Sequence, residues 1–306
     1  MKKTDIHVHC APARMELSFG NPMDPESHYV CGPAELLETM ETHEIGQAIL
    51  MSGGEAPDNG TFGLGAVNED CRRISRSYPD RLAWMCNLDP VSPETVLERM
   101  EKYKAWGAEG VGEVTFNQWM DHAFLYELFG AAQKLGLPVI CHMSPEPGIE
   151  YGVCDRAGLP LLEQTLQQFP DLKFLGHSQV FWLEISGDCP QTPPAARKGY
   201  GKGLVAPGGT LERLFSTYPN LYGDLSAFSA YCAITRDSDY GLAFLERFQD
   251  QLLFATDMTN QRNVPPLGAF LDARAADGRL GSDAYEKICF GNARRLFGIG
   301  QEKGGF

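Results

Sequence analysis

The chain has 306 residues, 43% hydrophobic and 22% charged, an ordinary globular composition with enough length to bury a sizeable core. Its formal net charge of −14 is spread along the chain, which opposes extended docking onto nucleic-acid phosphates or an anionic membrane surface. A small anionic substrate stays open, because a metal ion and a few arginines can make one pocket locally positive. The nine cysteines are odd in number and form no CxxC pair, so they read as free thiols in a reducing cytoplasm. Behind Lys2 and Lys3 there is no apolar segment of a secretory signal, and no window approaches the roughly 18 apolar residues of a membrane helix.

Taken in chain order, short apolar runs end at His9, Met51, Leu88, Glu113, His142, His177, Asp224 and Asp257. Amphipathic helices are expected between most of them. The helix over 92–106 begins Ser92-Pro93-Glu94, a cap followed by proline and an acid in the first turn. The helix over 121–135 takes Asp121 as its N-cap and puts Phe124, Leu125, Leu128, Phe129 and Ala132 on one face. Tyr78-Pro79-Asp80, Phe169-Pro170-Asp171 and Tyr218-Pro219-Asn220 each stop a helix and turn the chain into the next strand. Gly107 and Gly136 do this at two other helix ends. Strands alternating with helices, few of them alternating in polarity, imply a parallel sheet covered on both faces. Eight such units over this length favour a closed (β/α)8 TIM barrel, a single domain over 1–306. The long Pro- and Gly-rich stretch 178–207 follows the sixth strand and is expected as an irregular insertion overhanging the rim where barrel active sites lie, a lid.

Chemistry-bearing residues gather at these strand ends. His7 and His9 are two apart on the first strand, so both project to one side as a pair of imidazole ligands. His142, His177 and Asp257 each end an apolar strand, and in a barrel all such ends meet on one rim. Any one of them alone would pass for a satisfied core residue; five at matching places point to a metal site. Asp5 is expected to face away from His7 and to play at most a supporting part. His28, His43 and His122 read as solvated.

With these residues in hand, the chain resembles the amidohydrolase superfamily, in particular the amidohydrolase-related family of aminocarboxymuconate-semialdehyde decarboxylase and its hydrolytic cousins. The His7-Val8-His9 pair, the histidines of the fifth and sixth strands and the aspartate of the eighth match that family's ligand order. The closing segment Phe290-Gly291-Asn292 to Gly298 is similar to its C-terminal helix. The resemblance implies a divalent ion, Zn²⁺ first and Mn²⁺ or Fe²⁺ after it. Asp257 would bind metal and act as base towards metal-activated water, and His177 would be a ligand or an acid. Two places depart from the family's decarboxylases: His142-Met143-Ser144-Pro145 stands where they often carry His-Pro-Trp, and His177-Ser178-Gln179 where they have a Gly-rich turn. Glu113 is similar to the fourth-strand glutamate that bridges two metals in TatD-type deoxyribonucleases; it either bridges two ions or orients a ligand beside one.

The expectation is therefore a hydrolase of a small organic acid, lactone or amide, with a non-oxidative decarboxylase on the same scaffold as the alternative. A TatD-like nuclease or an inactive metal-binding protein stands further off. Arg14 and Arg262, a few residues past His9 and Asp257, are candidates to grip a substrate carboxylate. Trp182, Arg197, Lys198 and Tyr200 are candidates to contact substrate from the lid. A homodimer is the default assembly.

Overall fold

The computed structural model describes residues 2–18, 24–57, 64–190 and 193–299. Eight parallel strands carry the fold: β1 (Lys3–Val8), β2 (Ile45–Leu50), β3 (Leu82–Trp84), β4 (Val111–Val114), β5 (Val139–Ser144), β6 (Phe174–His177), β7 (Leu221–Leu225) and β8 (Leu252–Phe254). Ladders join β1–β2–β3 and β4–β5–β6–β7–β8. Two further bridges close the ring. Cys86 beyond β3 pairs with Val111 of β4, and Val8 pairs with Met258 beyond β8. The expected (β/α)8 barrel is what the chain forms.

Closure divides the core in two. Ile6, Ile49, Met51, Met85, Ile140, Leu175 and Leu253 form an inner cluster contributed strand by strand, joined by Ala293 and Phe297 of the C-terminal helix Asn292–Phe297. A larger outer cluster packs the other strand faces against the helices. Both strand faces are thus apolar, which is why the runs do not alternate. Truncating one inner residue, such as Ile140→Ala, would cost about 2–5 kcal/mol, since close-packed neighbours cannot fill the void.

Local signals place the elements. The helices Asn68–Ser77, Pro160–Gln168 and Thr210–Thr217 end at Tyr78, Phe169 and Tyr218, each the aromatic before a proline. Gly136 closes helix Ala123–Leu135 with φ 67°, a left-handed conformation that glycine takes without strain. Asp121 is not the N-cap of that helix. His122 is: its Nδ1 accepts the Phe124 N–H at 3.2 Å and its ring packs edge-on to Phe116, so it is not simply solvated. At the 92–106 helix, Pro93–Thr95 forms a 3₁₀ turn before the α-helix Val96–Ala105.

The stretch 178–207 corrects the expectation of one irregular loop. It opens with helix Gln179–Leu183, whose Val180, Phe181 and Trp182 are buried, and contains a 3₁₀ turn at Pro194–Lys198. Residues 191 and 192 of the expected lid lie outside the described residues. No helix among the described residues is long and apolar enough to cross a membrane.

Candidate metal centre

The C-terminal strand ends bring His7, His9, Glu113, His142, His177 and Asp257 into one cluster. His7 Nε2 and His9 Nε2 lie 3.3 Å apart, and Asp257 Oδ1 lies 3.4 Å from the first and 3.0 Å from the second. Two donor atoms each about 2.1 Å from one ion, at tetrahedral angles, are about 3.4 Å apart. The donor chemistry and the spacing both fit a shared divalent cation.

Three of the imidazoles are held so that Nε2 faces inward. His7 Nδ1 lies 2.6 Å from Asp224 Oδ2, His177 Nδ1 lies 2.8 Å from Ser226 Oγ, and His9 Nδ1 lies 3.3 Å from the Leu64 carbonyl. A proton on Nδ1 donated to an oxygen leaves the Nε2 lone pair for a metal, the usual way a protein fixes a ligand tautomer. His142 is turned the other way, with Nδ1 2.8 Å from Glu113 Oε1 and a buried Nε2 that has no hydrogen-bond partner. It faces His177 directly in the β5–β6 register, and the Tyr151 ring packs on it at 4.3 Å between centroids.

Glu113 lies between two pairs of imidazoles. Its Oε2 is 3.8 Å from His7 and 3.7 Å from His9, while Oε1 is 2.8 Å from His142 and 3.5 Å from His177. Asp257 spans the same gap, with Oδ2 3.7 Å from His177 Nε2. Its side chain is 24% exposed whereas those of His7, His9, Glu113 and His177 are at most 7% exposed, so Asp257 is the group open to the rim.

The backbone beside the cluster is bent into left-handed conformations. Asp257 has φ 59°, Ser178 φ 90° and Ala227 φ 58°, each adjoining or belonging to a cluster contact. Such conformations cost free energy in non-glycine residues and persist where the surroundings enforce them. The Asp257 N–H donates to the His7 carbonyl at 2.8 Å, and Ser178 Oγ accepts from Met143 N–H at 3.1 Å.

Electrostatics follow from crowding buried charges. Burial alone would lower the His7 pKa, but Asp224, Asp257 and Glu113 outweigh it and raise it to about 10. His177 is lowered, burial outweighing its carboxylate neighbours. Burial would raise Glu113 and Asp257, yet the surrounding imidazoles hold both carboxylates below their usual range. A cation at this place would displace the His7 proton and balance the carboxylates.

Asp224 and Ser226, which hold the His7 and His177 rings, were not among the site residues that the sequence singled out. Asp224 was visible only as the end of the seventh run, and that position on the shared rim was the available signal. Asp5 is fully buried and is tied down by Thr256 Oγ1 at 2.7 Å and the backbone N–H groups of Thr256 and His7.

The residues expected to bind substrate do not join the cluster. Arg14 is exposed, pairs with Glu16 at 2.7 Å and stacks on Tyr29. Arg262 pairs with Glu26 at 2.6 Å and with Asp24. Trp182 is 1% exposed, and its indole N–H donates to the Asp224 carbonyl at 3.0 Å, so it supports the site from within the core. Arg197 is buried against Glu184 at 3.1 Å. Lys198 is exposed and reaches the Ile149 carbonyl. Tyr200, 46% exposed, is close enough to feel the Asp257 charge.

No curated protein sequence matches the chain. Among solved structures, the 2,6-dihydroxybenzoate decarboxylase from Rhizobium is similar at TM-score 0.62 and 17% identity, covering 98% of this chain and 99% of that one. The 5-carboxyvanillate decarboxylase from Novosphingobium aromaticivorans, solved with manganese, is similar at TM-score 0.62 and 15% identity, covering 97% and 96%. A probable 2-pyrone-4,6-dicarboxylic acid hydrolase from Acinetobacter baumannii is similar at TM-score 0.58 and 16% identity, covering 97% and 100%. At such identities the likeness is one of fold. The amidohydrolase family model matches residues 5–299, from the start of the first-strand ligands to the C-terminal helix, and the chain belongs to that family.

Proposed function

We propose that the chain is a divalent-metal-dependent enzyme acting on a small carboxylated ring acid, and that its reaction is loss of the carboxylate as CO₂. The metal-dependent half rests on one observation: the donor atoms of His7, His9 and Asp257 lie at the spacing a shared ion requires, with Glu113, His142 and His177 grouped beside them. The reaction half rests on the neighbours, where decarboxylases outnumber the hydrolase. That weighs against the hydrolysis which the altered segments after His142 and His177 favour. Zn²⁺ suits the donor set, and manganese is the ion of one neighbour, so both belong in the assay.

When bound, the ion would hold the substrate carboxylate, a task left to it because Arg14 and Arg262 are engaged by other carboxylates. Loss of CO₂ leaves an electron pair on the ring carbon, which must take up one proton. His177 carries that proton in the other tautomer, with Ser226 Oγ donating to Nδ1 and the proton on the inward-facing Nε2, a role that keeps His177 off the ion. Asp257, the most open group, sets where the acid approaches.

Hydrolysis keeps one specific observation. Glu113 and Asp257 each turn one oxygen to each half of the cluster, an arrangement that suits two ions, with Asp257 taking the proton of an attacking water. The test is product analysis in heavy-oxygen water, with metal-loaded protein and a panel of hydroxylated aromatic acids, lactones and amides. CO₂ release with no solvent oxygen in the organic product supports decarboxylation. A product carrying solvent oxygen, with no CO₂, overturns it in favour of hydrolysis.

A further inference from the structure

A cavity of about 380 Å³ lies on the same rim and is lined by none of the cluster residues. Its walls are set by backbone pairing. The two-residue strand Val153–Cys154 pairs with the end of β5, Met143 opposite Val153. On its other side Cys154 bridges to Trp119, with Met120 N–H donating to the Cys154 carbonyl at 3.0 Å. This brings Trp119, Arg156, Pro145 and Glu146 around one hollow. Pro194 and Arg197 close it from the 3₁₀ turn, because Arg197 Nη1 donates to the Asp155 carbonyl at 2.7 Å.

The chemistry of the lining is specific. The Arg156 guanidinium lies over the Trp119 indole at 4.5 Å and, among the described residues, has no carboxylate within ion-pair distance. Arg197 is 1% exposed, and its Nε is buried with no hydrogen-bond partner. Its other nitrogens serve the Asp155 carbonyl and the Glu184 carboxylate, so Arg156 is the cation open to a ligand. Indole and two proline rings offer flat apolar walls, and guanidinium groups match a carboxylate in plane. Glu146 is the one acid on the wall. It opposes a bare anion but would accept a hydrogen bond from a hydroxyl. The volume falls within the range of small-molecule sites.

We propose that this cavity binds a hydroxylated aromatic carboxylate, its carboxylate on Arg156 and its ring against Trp119, as a site separate from the metal cluster. It does not depend on the reaction assigned above. The occupant is either a second molecule of the substrate class or an unrelated acid of the same chemistry, and either would give the same contacts.

Calorimetric titration of the metal-loaded protein with 4-hydroxybenzoate tests it, with phenol as the control lacking a carboxylate. Arg156 is exposed, so Arg156→Gln should fold, and it should weaken 4-hydroxybenzoate binding about tenfold. Trp119→Ala should weaken it as well, while Asp257→Asn should remove only binding at the metal cluster and keep the Arg156-dependent component, and phenol should bind far less. Arg156→Gln binding as tightly as the parent overturns the proposal, as does no binding by the parent at all. Loss of all binding in Asp257→Asn overturns the separate site and assigns the acid to the metal cluster. A change in turnover of a screened substrate on adding 4-hydroxybenzoate, abolished by Arg156→Gln, would identify the substrate class as the source; unchanged turnover with binding intact would identify an unrelated acid.

Discussion

Asp224 Oδ2 sits 2.6 Å from Nδ1 of His7, on the side of the ring away from the cluster. Both residues are fully buried, and the same oxygen lies 3.4 Å from His177 Nδ1, so the carboxylate orients His7 first, sharpening its Nε2 as a donor, and adjoins His177 as well. Asp224→Asn keeps the volume and removes the charge. Metal affinity should fall about 10- to 100-fold with the fold retained, as read by competition with a chelating dye and by circular dichroism. Unchanged affinity would mean that Asp224 only fills space.

Glu113 distinguishes one ion from two. If its oxygens serve both halves of the cluster, metal-saturated protein should carry about two ions per chain, and Glu113→Gln should carry about one. A saturated parent that holds about one ion would instead make Glu113 the partner that orients His142.

Histidines inside and outside the cluster should separate cleanly. His177→Asn should lower kcat by orders of magnitude on any screened substrate. His43→Ala, at an exposed helix end, should leave kcat within a few-fold. His122→Ala should also spare kcat but lower stability by about 0.5–1 kcal/mol, because it removes the acceptor for the Phe124 N–H. The reverse ranking would place the site elsewhere.

Asp155 gives a pH signature in stability. It accepts backbone N–H bonds from Arg156, Leu161 and Leu162, but burial outweighs these and raises its pKa from 3.8 to about 6. The native state therefore holds this proton over a window in which the unfolded chain has released it. The contribution of Asp155 is greatest below its unfolded pKa and is lost as pH rises through about 6. The loss is on the order of 2–3 kcal/mol. Urea midpoints should fall across that window more steeply for the parent than for Asp155→Asn; parallel curves would refute the shift.

Much of this could be read in the chain because barrel geometry converts position into proximity. A polar residue ending an apolar strand must lie on the rim, so His142, His177 and Asp257 were placeable before any contact was known. Strand ends could be read only to within a few residues: Asp257 lies three positions past β8, in a left-handed bend, and apolar content does not report such a bend. The partners of His7 and His177 came from β7 and the residue after it, and no local pattern links residues so far apart in sequence. The 178–207 stretch misled because its Pro and Gly content hides Val180, Phe181 and Trp182, a single buried turn too short to show a helical period. Arginine position alone does not report partners either: Arg14 and Arg262 pair with surface acids that spacing does not reveal.

Anomalous diffraction from crystals of the metal-loaded protein, recorded at the absorption edge of the supplied ion, tests the metal centre most directly. The account predicts a strong peak among His7 Nε2, His9 Nε2 and Asp257 Oδ1, at about 2.0–2.2 Å from each, with any second peak between Glu113, His142 and His177. A map with no peak at the cluster, or with its only peak elsewhere on the molecule, would contradict it.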